Sequence, residues 1–219
     1  MKEMTAGDDN PRYLYDDLLE WQYGNTAYYS ALVILLFIAV DGLIIRGDVL
    51  RAQWGFVALA IALLPALAEY LTPLILPWLM KLFITLSLIF HIAGGIFGFY
   101  FALYPVYDKI GHLVSSIAIS LVIVVILLIL VGITGIRLSS PAVVICIFIP
   151  VMVCGVAWEY AELNIDTVAG STYFVNINDS ILDMLFNVMG TCYIVLNIRE
   201  LLKRESLMDL YRRSIHWKS

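Results

Sequence analysis

Six apolar stretches, each long enough to cross the ~30 Å hydrocarbon core of a bilayer as a helix, leave this chain little choice of architecture. They run from about Thr26 to Ile45, Trp54 to Leu71, Pro77 to Tyr104, Lys109 to Ile133, Pro141 to Leu163 and Asp179 to Leu202. Hydrocarbon offers no water to backbone N–H and C=O groups, so only helices and closed barrels can span it. The runs here are continuous, not alternating, which excludes a β-barrel. Composition agrees: 62% of the residues are apolar and 14% charged, against roughly half and a quarter in soluble domains. The expected fold is all-α, a polytopic membrane helix bundle of six transmembrane helices. Residues 26–202 form that domain, preceded by a polar segment (1–25) and followed by a basic cytoplasmic tail (203–219). The third stretch is the longest and is expected to tilt. Pro141 falls in the first turn of the fifth, where its missing N–H does no harm.

The polar N-terminus carries Asp8, Asp9, Asp16, Asp17 and Glu20 and does not read as a cleavable signal peptide. The first apolar helix is therefore expected to act as the insertion signal. Tyr13 to Tyr23 mixes Tyr, Leu and Trp with carboxylates. It reads either as an interfacial helix on the membrane surface or as an unstructured tail. Arg199, Lys203, Arg204, Arg212, Arg213 and Lys218 crowd the other end, and the positive-inside rule places that tail in the cytoplasm. Six crossings then put both termini there. The loop between the fifth and sixth spans has no Lys or Arg and carries Asp166 and Asp179, which suits the external side. Arg46, Arg51 and Lys109 run against this orientation. Cys146, Cys154 and Cys192 all lie in apolar runs, so they are read as small apolar side chains with no disulfide or thiolate metal site. The net charge of −5 comes with no basic patch of the kind nucleic acid needs, and no nucleic-acid partner is expected.

A charge at the centre of a bilayer costs about 2.5–3.5 kcal/mol on insertion scales. Ionisable residues inside the spans should therefore face one another or a wet cavity. The six-span topology brings most of them to one level. Asp108 and His112 open the fourth span, Glu159 and Glu162 close the fifth, and Asp179 and Asp183 open the sixth, with Asn187 one turn deeper. Asp41 shares that end, His91 lies near mid-span, and Glu69 sits at the opposite end. Helical spacing puts Asp108 and His112 on one face, and Glu159 and Glu162 on another. Asp179, Asp183 and Asn187 form an i, i+4, i+8 stripe. His91 aligns with Gly94, Gly95 and Gly98, a small-residue face that admits a neighbouring helix.

Each of these has a plain structural reading beside the chemical one. Asp108 either orients the His112 imidazole or caps its helix. Glu159 and Glu162 are ligands or an acid–base pair, and packed together they repel unless a cation stands between them; alternatively Glu162 is solvated at the interface. Asp179 sits at a helix start, where the dipole favours it. Asn178-Asp179-Ser180 matches a glycosylation acceptor but abuts the membrane. Asp183 lies inside the span, and with Asn187 it is the strongest functional candidate. His91 reads as an interhelical hydrogen bond, and Asp41 and Glu69 as partners of cations near span ends.

The run Tyr107-Asp108-Lys109-Ile110-Gly111-His112 resembles that of YjdF-type inner-membrane proteins. So do Glu159 and Glu162 three apart at the end of the next helix, and Asp179 and Asp183-Met184 further on. Asp183, Asn187 and Gly190 are similar to the Asp-x3-Asn-x2-Gly ending of the wider VanZ-like group. The resemblance covers the chain from the third span onward. It implies a four-helix core around these residues and a prokaryotic plasma membrane, without naming a reaction. Asn178 and Leu182 stand where that family usually has tryptophans, so loop contacts differ here.

These observations point to a membrane-embedded carboxylate/histidine site near the external face. His112, Glu159 and Asp183 are the expected metal ligands and catalytic groups, with Asn187, Asp108, Glu162 and Asp179 binding around them. Nitrogen and oxygen donors without thiolate suit Zn²⁺, Mn²⁺ or Mg²⁺, which could activate water against a lipid or lipid-linked head group or another small polar substrate. The alternatives are non-enzymatic binding or transport of a cation or solute, and a structural subunit of a membrane complex. Membrane lipids are the expected partners; oligomeric state is not legible in the chain.

Overall fold

The computed structural model describes the backbone of residues 11–72, 74–169, 177–214 and 216–217, and the side chains of 22–72, 74–164 and 177–212. Asp8, Asp9, Lys218 and the side chains of Asp16, Asp17, Glu20, Asp166, Arg213 and His216 lie outside the described set. Among the described residues the order is α1 (Pro11–Ile44), α2 (Val49–Leu71), β1 (Leu74–Ile75), α3 (Trp78–Phe97), α4 (Phe99–Ala102), α5 (Val106–Thr134), α6 (Ser140–Ala169), α7 (Ile177–Leu202), α8 (Leu207–Ser214) and β2 (His216–Trp217). Six of these helices are long and apolar enough to cross a membrane, one in each of the six expected stretches. The protein is a multi-pass helical membrane protein.

The third span departs from expectation. It is not one long tilted helix. α3 stops at Phe97, and Gly98 takes a left-handed conformation (φ 73°) that residues with a Cβ adopt only at a cost. The chain then turns through α4 and folds back. This also reassigns the small-residue face beside His91. Gly94 makes room for the Tyr100 ring, which a side chain there would strike, so the face receives the hairpin's own aromatic group.

Two groups of helices meet along a seam between α3 and α5. On one side α1, α2 and α3 pack together, and the buried Tyr28 hydroxyl donates to Ala62 O across α1 and α2 at 2.8 Å. On the other side α5 packs against α7, α6 and α8. The main apolar core fills this second group with Val124, Leu128 and Val131 of α5, Val143 and Ile147 of α6, and Ile194 and Val195 of α7. It lies deeper than the polar residues at the head of α5 and α7.

The residues after the sixth span are built into the bundle. Leu207 and Leu210 of α8 are buried, and Tyr211 lies over Gly132 of α5. Ser206 and Asp209 bond each other's side chain and backbone at the start of α8. The hydrogen bonds from the Ser206 hydroxyl and N–H hold the Asp209 carboxyl below its ordinary range. β2 then pairs antiparallel with β1, Leu74 opposite Trp217 and Ile75 opposite His216.

That end of the bundle holds its own buried charges. The Lys81 ammonium donates to Asn25 Oδ1 at 2.7 Å and to both Glu69 carboxylate oxygens at 3.0 and 2.9 Å. Glu69 also accepts from the Leu76 N–H at 2.7 Å. Near the other end Asp41 pairs with Arg46 at 2.9 Å. Both acids thus have the cationic partners expected of them.

The close approach of α5 and α7 depends on Gly190. A Cβ there would meet Leu113 O at 2.7 Å and collide with Ser116 Oγ. Gly190→Ala is expected to cost about 1–3 kcal/mol of stability through overpacking, read as a lower melting temperature in detergent. Gly111, in the same helix pair, faces open space. Gly111→Ala is expected to leave the melting temperature unchanged or raised, since Ala is the better helix former by up to about 1 kcal/mol.

Candidate functional site

Three helices deliver the polar residues to one place. α5 begins at Val106 with Pro105 in the cap position and no side-chain cap. Asp108 is therefore not the helix cap; it stands in the first turn, where the dipole still favours it. His112 is one turn further on, on the same face. α6 brings Glu159 and Glu162 near its far end. α7 brings Asp179 in its first turn, then Asp183 and Asn187 on successive turns. Asp183, His112 and Asn187 are 2%, 4% and 4% exposed, so these groups point into the bundle and not toward lipid.

Lys109 is the residue that sequence reasoning missed. Read there as the start of the fourth span and as a charge that runs against the orientation, with no place in the site, it is 5% exposed and reaches into the acidic cluster. Its ammonium lies 2.5 Å from Asp179 Oδ1, 2.6 Å from Asp183 Oδ1 and 3.3 Å from Asp108 Oδ2. Asp179, expected to serve the helix dipole, pairs with this cation. The available signal was position: Lys109 is in the first turn of a span, next to Asp108, where hydrocarbon penalises an unpaired cation.

His112 is the second centre. Its Nε2 lies 3.8 Å from Asp108 Oδ1, 3.7 Å from Glu159 Oε1 and 3.6 Å from Asp183 Oδ1. These separations exceed the 2.7–3.2 Å usual for hydrogen bonds. His112 Nε2 and Glu159 Oε1 are buried without a hydrogen bond, whereas Asp183 Oδ1 has the Lys109 ammonium at 2.6 Å. A cation bound at about 2.0–2.2 Å in tetrahedral geometry holds its ligand atoms about 3.3–3.6 Å apart, close to the observed spacing. Two ligand sets are compact enough for one ion: Asp108, His112 and Asp183, and His112, Glu159 and Glu162. The expected trio of His112, Glu159 and Asp183 is thus divided between two sets with His112 common to both. Each set offers three protein ligands, which leaves a position open for water or substrate.

The surrounding side chains orient this centre. Asn187 stands beside the His112 ring, and Ser180 within hydrogen-bonding reach of Glu159. Gly155 lets α7 approach α6, because a Cβ there would meet Asn187 Nδ2 at 2.8 Å and Met184 Sδ at 3.0 Å. Glu162 is half-buried rather than fully solvated, and accepts from the Trp158 indole at 2.9 Å. The Trp158 ring packs on His91 with centroids 4.7 Å apart. His91 Nδ1 is 2.9 Å from the Tyr100 hydroxyl. Burial, with the Asp108 charge nearby, pushes the Tyr100 phenol well above its ordinary range, so it remains a neutral O–H. A cavity of about 240 Å³ lies between these groups, with His112, His91, Trp158 and Asn187 on its wall.

Removing the buried cation leaves Asp179 and Asp183 facing each other uncompensated. Lys109→Ala is expected to cost about 3–5 kcal/mol, as when one partner of a buried pair is deleted. Reversible unfolding in mixed micelles reads this directly; a change below 1 kcal/mol on the same scale of pair energies would show that the carboxylates do not depend on Lys109.

No curated protein and no solved structure is significantly similar to the chain. The sequence profile of the family described as "Predicted membrane protein (DUF2238)" matches residues 26–204, which takes in all six spans and every residue of the cluster. The YjdF-type resemblance is consistent with that family, and the chain belongs to it.

Proposed function

We propose that this protein is a membrane-embedded metalloprotein whose site lies near one face of the bilayer, and that it hydrolyses or transfers a group on a lipid or lipid-linked substrate. The observation that carries this reading is the buried pair His112 Nε2 and Glu159 Oε1, neither with a hydrogen bond, in a ring of carboxylate oxygens spaced from the imidazole too far for hydrogen bonds and close to the spacing a cation imposes. Five carboxylates stand around one lysine and one imidazole, so the cluster keeps an excess of negative charge after Lys109 is counted. Lys109 serves the aspartates of α5 and α7. The uncompensated charge is greatest at Glu159 and Glu162, and a divalent ion held there with His112 offsets it. Zn²⁺, Mn²⁺ and Mg²⁺ suit this donor set. When bound, the ion would polarise a substrate oxygen or activate water. Asn187 and Ser180 would orient His112 and Glu159, and Asp183 and Asp108 would hold Lys109 and steady the imidazole. The spacing of Asp183, Asn187 and Gly190, similar to that in VanZ-like proteins, supports the same grouping.

The basic residues after the sixth span favour a site on the external side of a prokaryotic plasma membrane, with both termini cytoplasmic. Transport across the bundle is disfavoured because the acids gather at one end: among the described residues the buried polar side chains between the cluster and the Lys81–Glu69 pair are the neutral hydroxyls of Thr85, Ser116, Ser120 and Thr191.

Elemental analysis of detergent-purified protein tests the metal. The wild type is expected to carry a near-stoichiometric divalent ion, and His112→Ala and Glu159→Gln to fall to background. Chelation is expected to lower the wild-type melting temperature and to leave His112→Ala unmoved, because an ion bound at 100 times its Kd contributes about 2.7 kcal/mol. Unchanged metal content in His112→Ala would remove the assignment.

A further inference from the structure

The cavity beside His112 does not end at the polar cluster. Ser87 of α3 and Ile119 of α5 line both it and a second cavity of about 190 Å³. The first is walled at one end by His112, His91 and Asn187. The second is lined by Ile61, Ile84, Leu88 and Val122, with Ser87 as its one polar residue beside the apolar ones. At the junction Ser87 Oγ and Ser115 Oγ bond each other at 2.7 Å, so neither hydroxyl demands a ligand. The two cavities adjoin at Ser87 and Ile119 and make a trough-like succession along the α3–α5 seam, polar at the cluster and apolar away from it. Ten residues of α5 separate His112 from Val122, a rise of about 15 Å, which is half of the ~30 Å hydrocarbon core. The trough is therefore as long as the chain region of one leaflet. Its walls are open to the bilayer: Cys154 is exposed, and Trp158 and Ile61 are 41% and 44% exposed.

We infer that this trough binds a phosphate-headed lipid of the leaflet on the cluster side, reached laterally, with its head oxygens at His112, His91 and Asn187 and one acyl or isoprenoid chain along Ile119, Ile84 and Leu88. The size of the first cavity supports this division. At about 240 Å³ it falls below the 300–1,000 Å³ of pockets that enclose a whole drug-sized ligand. It accommodates a head group and the first carbons, and the rest of the chain must leave through the apolar continuation. The wall facing the trough carries no carboxylate; it presents imidazole and amide groups. His91 Nδ1 and the Tyr100 hydroxyl share a hydrogen bond; in the tautomer in which Tyr100 donates, the other ring nitrogen is an N–H donor for an oxygen acceptor. The inference names the substrate of the metal-site reading and rests on it for the head-group end, whereas the chain site rests on the cavity alone.

Photo-crosslinking in proteoliposomes tests it. A phospholipid with a diazirine in its acyl chain is expected to label α3 and α5 at residues 84–88 and 115–122 well above other lipid-facing positions such as Leu64 and Val153. A diazirine alkane of the same chain length is expected to show no such enrichment. Ile119→Trp, which fills the shared wall without introducing a charge, is expected to abolish the enrichment while metal content and melting temperature stay at wild-type values. Labelling spread evenly over the lipid-facing surface, enrichment that survives Ile119→Trp, or equal enrichment of the alkane would overturn the inference. His112→Ala separates the two readings. Metal lost with α5 labelling retained leaves the chain site standing, and metal retained with even labelling removes the chain site without touching the metal.

Discussion

The cost of an unpaired charge in hydrocarbon organises this molecule. Lys109 cannot sit in the first turn of a membrane-spanning helix unless acids come to meet it. Asp179 and Asp183 of α7 do so at 2.5 and 2.6 Å. That pairing joins α5 to α7, and α6, packed against both, places Glu159 beside His112. Packing then follows the electrostatics. Gly190 and Gly155 are absent side chains at the two places where α7 must approach α5 and α6. The apolar core fills in beneath.

The two polar ends of the bundle solve the same problem differently. Lys81 has Asn25 and both oxygens of Glu69 at hydrogen-bonding distance, and Glu69 also takes the Leu76 N–H. That network is closed and holds the α2–α3 connection in which β1 meets β2. At the other end the acids outnumber the cations, and among the described residues His112 Nε2 and Glu159 Oε1 are buried without a hydrogen bond. Buried polar atoms normally find partners, and leaving one unmet costs about 1–3 kcal/mol. A network satisfied on every side locks helices. The cluster at the head of α5 and α7 lacks that closure at His112 Nε2 and Glu159 Oε1.

The trough explains why such a centre would sit beside the α3–α5 seam and not on the bundle axis. A water-soluble substrate would need an opening at the membrane face. An amphiphile already dissolved in the leaflet needs a gap between helices with polarity graded along its length, and the walls from His112 to Val122 have that grading.

Much of this was legible in the chain. Six apolar runs determined the number of spans, because a helix is the economical way to satisfy a backbone in lipid. Alternation of direction then placed Asp108, His112, Glu159, Glu162, Asp179 and Asp183 at one end, since even-numbered crossings start where odd ones finish. Spacing of three and four told which of them share a face. Other features depend on distances between segments far apart in sequence. Seventy residues separate Lys109 from Asp179, and no local pattern says that one will neutralise the other. Helical period cannot show that Gly98 breaks the third span, or that Tyr100 folds back onto Gly94 and His91. Nor can it divide the expected ligands into two sets around His112. One-dimensional patterns report depth and facing, because these repeat with the helix. Which atoms end within 4 Å is decided by rotation and approach of whole helices, and only the packed bundle sets those.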